Sequence, residues 1–252
     1  MPRLTVCQLH DDPQGFERDW TALVRHVQSE KSDLVLLPEV PFAPWIFTTR
    51  NFSEAAWNAA SRAHDFWQTR LNELKPAVVL STRPMTDEAG RWNEGFVWNG
   101  AYQAAHRKVY LPDEDGFWEA SWYRAGMPEF TPSKAGEVSV GFAICSELWF
   151  MNAARAYGQA GTHLLVTPRC TEAASVDKWL IGGQAAAFIA GAYSASSNRF
   201  SEDGSYGGGG WVVNPDGDVL GRTTESQPFI TVEIDLAEAE NAKSTYPRYI
   251  AD

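Results

Sequence analysis

RLTVCQLHDDPQGFERDWTALVRHVQSEKSDLVLLPE, residues 3–39, decides the fold. Its first seven residues alternate apolar and polar side chains, the period of a half-buried strand. From about 14 to 31 apolar residues recur at helical spacing, and after Asp33 the run LVLLP is almost wholly apolar. A strand with no polar face must be covered on both sides, so the segment reads as β-α-β with its second strand in the interior.

Working outward, a helix is expected over about 53–74, followed by PAVVLST as another buried strand. RWNEGFVWNG and YQAAHRKVYL then form a hairpin around Asn99-Gly100, a strong turn dipeptide between strand patterns. After an aromatic stretch over 111–130, VSVGFAIC leads into a helix near 149–160, then THLLVTP and a long helix near 176–191. The last third is β-rich: AYSASSN, GGWVVN, the turn Pro215-Asp216-Gly217, DVLGRT and PFITVEIDL. No repeat, low-complexity linker or charge block marks a boundary, so one domain over 1–252 is expected. LVLLP, AVVLS and LLVTP are equally apolar, so helices can cover only one face of each sheet and the other faces bury against each other. The expectation is an α/β fold, a four-layer α-β-β-α sandwich.

Composition narrows the function. With 21 Lys+Arg against 32 Asp+Glu the formal net charge is -11, which argues against nucleic acid as a partner because phosphate backbones reward basic patches. Hydrophobic residues make up 44% and charged residues 21%, the mixture of a folded chain rather than a disordered acidic one. MPRLTVCQLH turns polar too soon for a secretory signal, and no window approaches the ~18 apolar residues of a membrane span. A cytoplasmic protein without membrane contact is expected. Cys7, Cys145 and Cys170 lack C-x-x-C spacing and the five histidines lack paired metal spacing, so neither disulfides, nor a metal, nor a cofactor is expected. Gly207 to Gly210 precede a strand rather than a helix, which disfavours a phosphate loop; close approach of backbone to a pocket is expected instead.

Three residues stand where chemistry could be done. Cys145 ends VSVGFAIC as the chain enters a helix, and a strand-to-helix elbow presents its side chain at the carboxyl edge of a sheet, beside a helix N-terminus that favours thiolate. A small buried hydrophobe is the alternative reading. Glu39 leaves the apolar run LVLLP, where desolvation would raise its pKa toward that of a general base; an N-cap or a solvated loop carboxylate is the alternative. Lys108 lies in HRKVYLP between His106 and Tyr110, and taken alone would be a solvated edge charge. His106 is the one histidine placed to form a Cys-His dyad.

Taken together, Glu39, Lys108 and Cys145 resemble the catalytic set of the nitrilase (carbon-nitrogen hydrolase) superfamily. LLPEVPF is similar to its glutamate motif, HRKVYLPDE to its lysine motif and VGFAICSELWF to its cysteine motif. THLLVTPR, a helix ending in SSNR at 196–199, and GGGWVVNPDGDVL follow in the family's order, so the resemblance covers about 3–236. It implies an α-β-β-α sandwich paired through its helices as a homodimer or larger homo-oligomer. It also implies a metal-free thiol hydrolase in which Glu39 takes the proton of Cys145, and Lys108 with the Ser146 backbone N–H stabilises the oxyanion. Glu119 matches the family's second glutamate, with Glu114 as the alternative. The leading expectation is hydrolysis of a small carboxamide to carboxylic acid and ammonia through a thioester; Cys-Ser-Glu-Leu-Trp departs from the usual amidase sequence after the cysteine, so nitrilase and N-carbamoyl hydrolase stay as alternatives. A catalytically silent scaffold is the reading from another class. The expected partner is a small amide or nitrile.

For substrate contacts, Trp45, Trp118 and Trp149, with Phe117, Trp122, Tyr123, Phe150 and Trp179, are candidates to line an apolar or aromatic pocket, or to pack helices and subunits. Arg169, past LLVTP, is either a clamp for a substrate carboxylate or part of a surface ion pair. Cys170 beside it and Ser146 complete the candidate contacts.

Overall fold

A computed structural model of the chain describes residues 1–250; 251 and 252, within the expected domain, lie outside the described residues. The opening segment folds as read. Strand β1 (Arg3–His10) leads into α1 (Pro13–Glu30), whose start is fixed by the Asp12 side chain accepting from the Gly15 N–H at 2.8 Å and by Pro13 in the first turn. β2 (Leu34–Leu36) then pairs in parallel with β1.

α2 (Glu54–Arg70) gives way to a short 3-10 turn at 71–74, so the expected helix changes type in its last four residues. β3 (Val78–Asp87) and β4 (Gly90–Trp98) form a long hairpin that the short reading PAVVLST does not show, and β5 (Tyr102–Arg107) adds the hairpin around Asn99-Gly100. These strands make one half of the sandwich, in the order β5-β4-β3-β2-β1, with β12 (Phe229–Glu233) antiparallel on β1.

The other half contains β6 (Ser133–Ala135), β7 (Val138–Phe142), β8 (Leu164–Arg169) and β9 (Tyr193–Phe200), continued by β10 (Trp211–Val213) and β11 (Val219–Arg222). AYSASSN is a strand as expected, and SSNR at 196–199 lies within β9 rather than ending a helix. The halves are not separate sheets: residues 4–6 of β1 pair with β2, while 8–10 pair with Asn198, Arg199 and Phe200 of β9. β1 thus crosses from one sheet to the other.

Strand alternation sorts the side chains into four layers. Leu4, Val6, Leu36 and Leu80 from the first half meet Val140, Phe142, Leu164, Val166 and Ala195 from the second, forming the core between the sheets. Val35, Val79, Phe96 and Trp98 point outward onto Trp20 and Leu23 of α1 and Trp67 of α2. Leu165, Val213 and Trp211 face the opposite outer layer, α4 (Met151–Gln159) and α5 (Val176–Ala190). α5 can lie this close to β10 because residue 183 is glycine; a Cβ there would stand 2.6 Å from the Trp211 ring. The expected α-β-β-α sandwich is the architecture of the chain, closed by α6 (Leu236–Ala242). Among the described residues, no helix is long and apolar enough to cross a membrane.

Candidate active site

The ends of β2, β5 and β7 converge, and the residues beyond them carry the chemistry. Just past β5, Lys108 is held by its N–H on the Asn93 carbonyl at 3.0 Å. Its Nζ donates to Glu39 Oε1 at 2.8 Å and to both Glu119 oxygens at 2.7 and 2.8 Å. All three side chains are almost wholly withdrawn from water. Glu119 opens a one-turn helix, α3 (Glu119–Trp122), inside the irregular aromatic stretch. The Asn93 amide also donates to Glu39 Oε1, at 2.7 Å, while Glu39 Oε2 is buried with no hydrogen-bond partner among the described residues. One carboxylate oxygen is therefore fixed and the other is open to a proton.

Cys145 lies three residues beyond β7 and opens a 3-10 turn over 145–149, so it is neither the last strand residue nor the start of an α-helix. Its φ is +47° and that of Val40, next to Glu39, is +44°. Positive φ at a β-branched residue is a true outlier, and such conformations cost on the order of 1–3 kcal/mol each. Both are held by hydrogen bonds. Val40 donates to Thr82 Oγ1 at 2.8 Å, and buried Arg199 donates to the Glu39 and Val40 carbonyls while pairing with Asp11. Glu147 ties down the cysteine turn: its carboxylate accepts from the Ile144 N–H at 2.8 Å, the Val109 N–H at 2.7 Å and His106 Nε2 at 2.9 Å. His106 thus serves Glu147 rather than a Cys-His dyad.

Removing Glu147 orphans one buried and one part-buried backbone donor, an unmet buried donor costing about 1–3 kcal/mol. Glu147→Ala is expected to lower unfolding free energy by about 2–4 kcal/mol in urea titration, and Glu147→Gln, which keeps one acceptor oxygen, by less. Equal stability of all three proteins would mean that the turn holds itself.

The electrostatics run against the expected free thiolate. Burial first, then the Glu39 and Glu119 charges, push the Cys145 thiol far up, and Lys108 with the Cys170 backbone N–H only partly counter them. Burial pulls Lys108 down, but the Glu119 and Glu39 carboxylates more than offset this and hold it cationic. Glu119 is raised by burial, with Lys108 opposing. The carboxylates beside the thiol make an anion at sulfur costly at rest. The arrangement suits proton transfer concurrent with attack rather than a standing thiolate.

Above Cys145 lies a cleft of about 460 Å³, lined by Glu119, Ser146, Trp149, Cys170 and Trp179 among others. Trp149 and Trp179 are 4.8 Å apart between ring centroids. Phe117 lines it as well, while Trp45, Trp118 and Arg169 lie outside the lining. Trp45 donates to the Gly116 carbonyl at 2.9 Å and packs on Phe47, and Trp118 lies under Arg50 at 4.1 Å. Arg169 is fully buried and forms no ion pair among the described residues. Its guanidinium donates to Ser196 Oγ at 2.7 Å, Thr171 Oγ1 at 2.8 Å and the Gly208 and Gly209 carbonyls, against the Trp211 ring at 4.4 Å. The glycine run therefore wraps Arg169 and does not line the cleft. Glu114 lies exposed in the cleft lining. Among the described residues no group of three His, Cys, Asp or Glu side chains could hold a metal ion.

The residues that sequence reading missed are Asn93, Arg199 and Glu147. Only Glu147 left a local signal, the acid two positions after Cys145.

The chain is 26% identical over 240 residues to a chloroplastic omega-amidase of Arabidopsis thaliana, covering 89% of this chain and 64% of that protein, so it spans under two thirds of that relative's length. It is 26% identical over 237 residues to the omega-amidase NIT2 of Bos taurus, covering 89% of this chain and 84% of that one. In fold it matches the crystal structure of a carbon-nitrogen hydrolase from Helicobacter pylori G27 with a TM-score of 0.85, at 18% identity, over 98% of this chain and 94% of that chain. The model of the carbon-nitrogen hydrolase family matches residues 3–244, and with nearly its whole length inside that match the chain belongs to the carbon-nitrogen hydrolase family.

Proposed function

We propose that the protein hydrolyses small carboxamides to carboxylic acid and ammonia through a thioester on Cys145. The carrying observation is a buried ammonium, Lys108, held between Glu39, one of whose oxygens has no partner among the described residues, and Glu119, which lines the same cleft as the Cys145 thiol. As the Cys145 Sγ–C bond forms, the thiol proton passes to Glu39 Oε2 and the amide carbonyl becomes an oxyanion. Lys108 Nζ and the Ser146 N–H stabilise that charge. Collapse of the intermediate breaks the C–N bond, and the leaving nitrogen takes the proton from Glu39, releasing ammonia. A water then gives a proton to Glu39 and attacks the thioester; the C–S bond breaks and the sulfur recovers that proton. Glu119 holds Lys108 in place and keeps it charged.

An amide rather than a nitrile substrate is favoured by the omega-amidase relatives. The test is ammonia release from amides, nitriles and N-carbamoyl amino acids by the wild-type protein and by Cys145→Ala. Release from amides, lost by about 10⁴-fold or more in the variant, supports the reading. Release that survives the substitution, or that comes only from nitriles or carbamoyl compounds, rejects it.

A further inference from the structure

We infer that the cleft over Cys145 selects amides whose far end carries a positive charge; this rests on the amidase reading and names its substrate class. The lining contains four carboxylates, Glu114, Asp115, Glu119 and Glu172, and no Lys or Arg among the described residues. Glu119 is bound to Lys108. Glu114, Asp115 and Glu172 are exposed. Arg50 pairs with Asp113, outside the lining.

The buried cations do not reverse the sign. Lys108 lies between two carboxylates, and Arg169 is enclosed by Ser196, Thr171 and the glycine carbonyls. A carboxylate-tailed amide would enter an anionic cleft with no guanidinium or ammonium to receive it, a like-charge juxtaposition that suppresses binding.

The second observation is the aromatic wall. Trp149 is 45% exposed, an unusual state for so large an apolar side chain beside a reactive group, and it leans on Trp179. The Trp179 indole N–H is fixed on Ser175 Oγ at 3.2 Å. Indole faces attract ammonium and guanidinium groups, most strongly where water is partly excluded. An uncharged apolar tail would also suit the indoles but would strip water from the carboxylates without compensation. A cation satisfies both walls.

The experiment compares three amides of matched length, pentanamide, 5-aminopentanamide and glutaric acid monoamide. The cationic amide is expected to exceed the neutral one in kcat/KM by about tenfold at low salt, with the anionic amide slowest, and the gap should shrink at high ionic strength. In Glu114→Gln/Asp115→Asn/Glu172→Gln the cationic-to-neutral ratio should fall toward one. A readout independent of turnover is alkylation of Cys145 by 2-bromoethylamine against iodoacetate, each rate divided by its rate with a small free thiol. Preference for the cationic reagent, lost in the triple variant, supports the cationic selectivity of the cleft; if no amide is then hydrolysed, the amidase reading fails while that selectivity stands. Hydrolysis of the neutral amide with no gain for the cationic one, or best turnover of the anionic one, overturns the inference and leaves the amidase reading standing. Equal normalised alkylation also overturns it.

Discussion

Glu39→Gln is expected to lower kcat for amide hydrolysis by about 10³-fold, within the range for loss of a positioned general base. Gln is nearly isosteric and keeps a carbonyl oxygen that can accept from Lys108 and Asn93, as Glu39 Oε1 does at 2.8 and 2.7 Å. What it lacks is the oxygen that can take a proton. The fold should therefore persist while the chemistry stops. A second readout separates this from general damage. In the parent protein the Glu39 charge is, after burial, the largest factor pushing the Cys145 thiol up. Removing that charge should let the thiolate form at lower pH. The pH profile of Cys145 alkylation by iodoacetamide should move to lower pH in Glu39→Gln even as turnover is lost. Turnover within tenfold of the parent would reject Glu39 as the base, and an unmoved alkylation profile would mean that its charge is not felt at the sulfur.

How much of this was legible depended on the distance over which each residue acts. Wholly apolar runs such as LVLLP announced interior strands, because a strand with no polar face has nowhere else to lie. Glu39 drew attention because it follows an apolar strand and Lys108 because HRKVYLP is similar to the family's lysine motif, and the structure brings them within 2.8 Å. β1 pairing with both sheets was not legible: its alternation says which face is buried, not which neighbours share its edges. Glu119 sits in a stretch with no period, so resemblance alone distinguished it from Glu114. Asn93 and Arg199 reach Glu39 across 54 and 160 residues of chain, separations on which no local pattern reports. Arg169 shows the limit most clearly. Its place after LLVTP fits a ligand clamp, a surface ion pair or a buried strut equally well, and only the Ser196, Thr171 and glycine partners distinguish the last. The aromatic residues behave likewise: Trp149 and Trp179 line the cleft, while Trp45, Phe47, Trp57, Trp122 and Tyr123 pack together in a separate cluster.

Lys108→Met should cost both activity and stability, with a pH signature that assigns the cause. Loss of a preorganised oxyanion partner is worth about 10²–10³ in kcat. Breaking a buried ion group by removing one member costs about 3–5 kcal/mol, because uncompensated charge is left behind. Here two carboxylates are left, each hydrogen-bonded to Nζ at 2.7–2.8 Å in the parent. Glu119 is already raised by burial with Lys108 pulling it down, so without Lys108 it rises further. A carboxyl whose folded pKa lies above its unfolded value destabilises the fold above that folded pKa, and the penalty is relieved as pH falls through it toward about 4. Lys108 itself, raised in the folded protein, contributes stability that is fully present below the unfolded lysine pKa of about 10.4, so it adds no change in the acid range. The parent-minus-variant gap from urea unfolding should therefore be about 3–5 kcal/mol at pH 8 and smaller at pH 5. At the lower pH one carboxyl is protonated and can donate to the other, replacing the ammonium with a shared proton. A gap equally large at both pH values would show that Lys108 stabilises by packing its stem, and would remove the charge argument on which its place in the site rests.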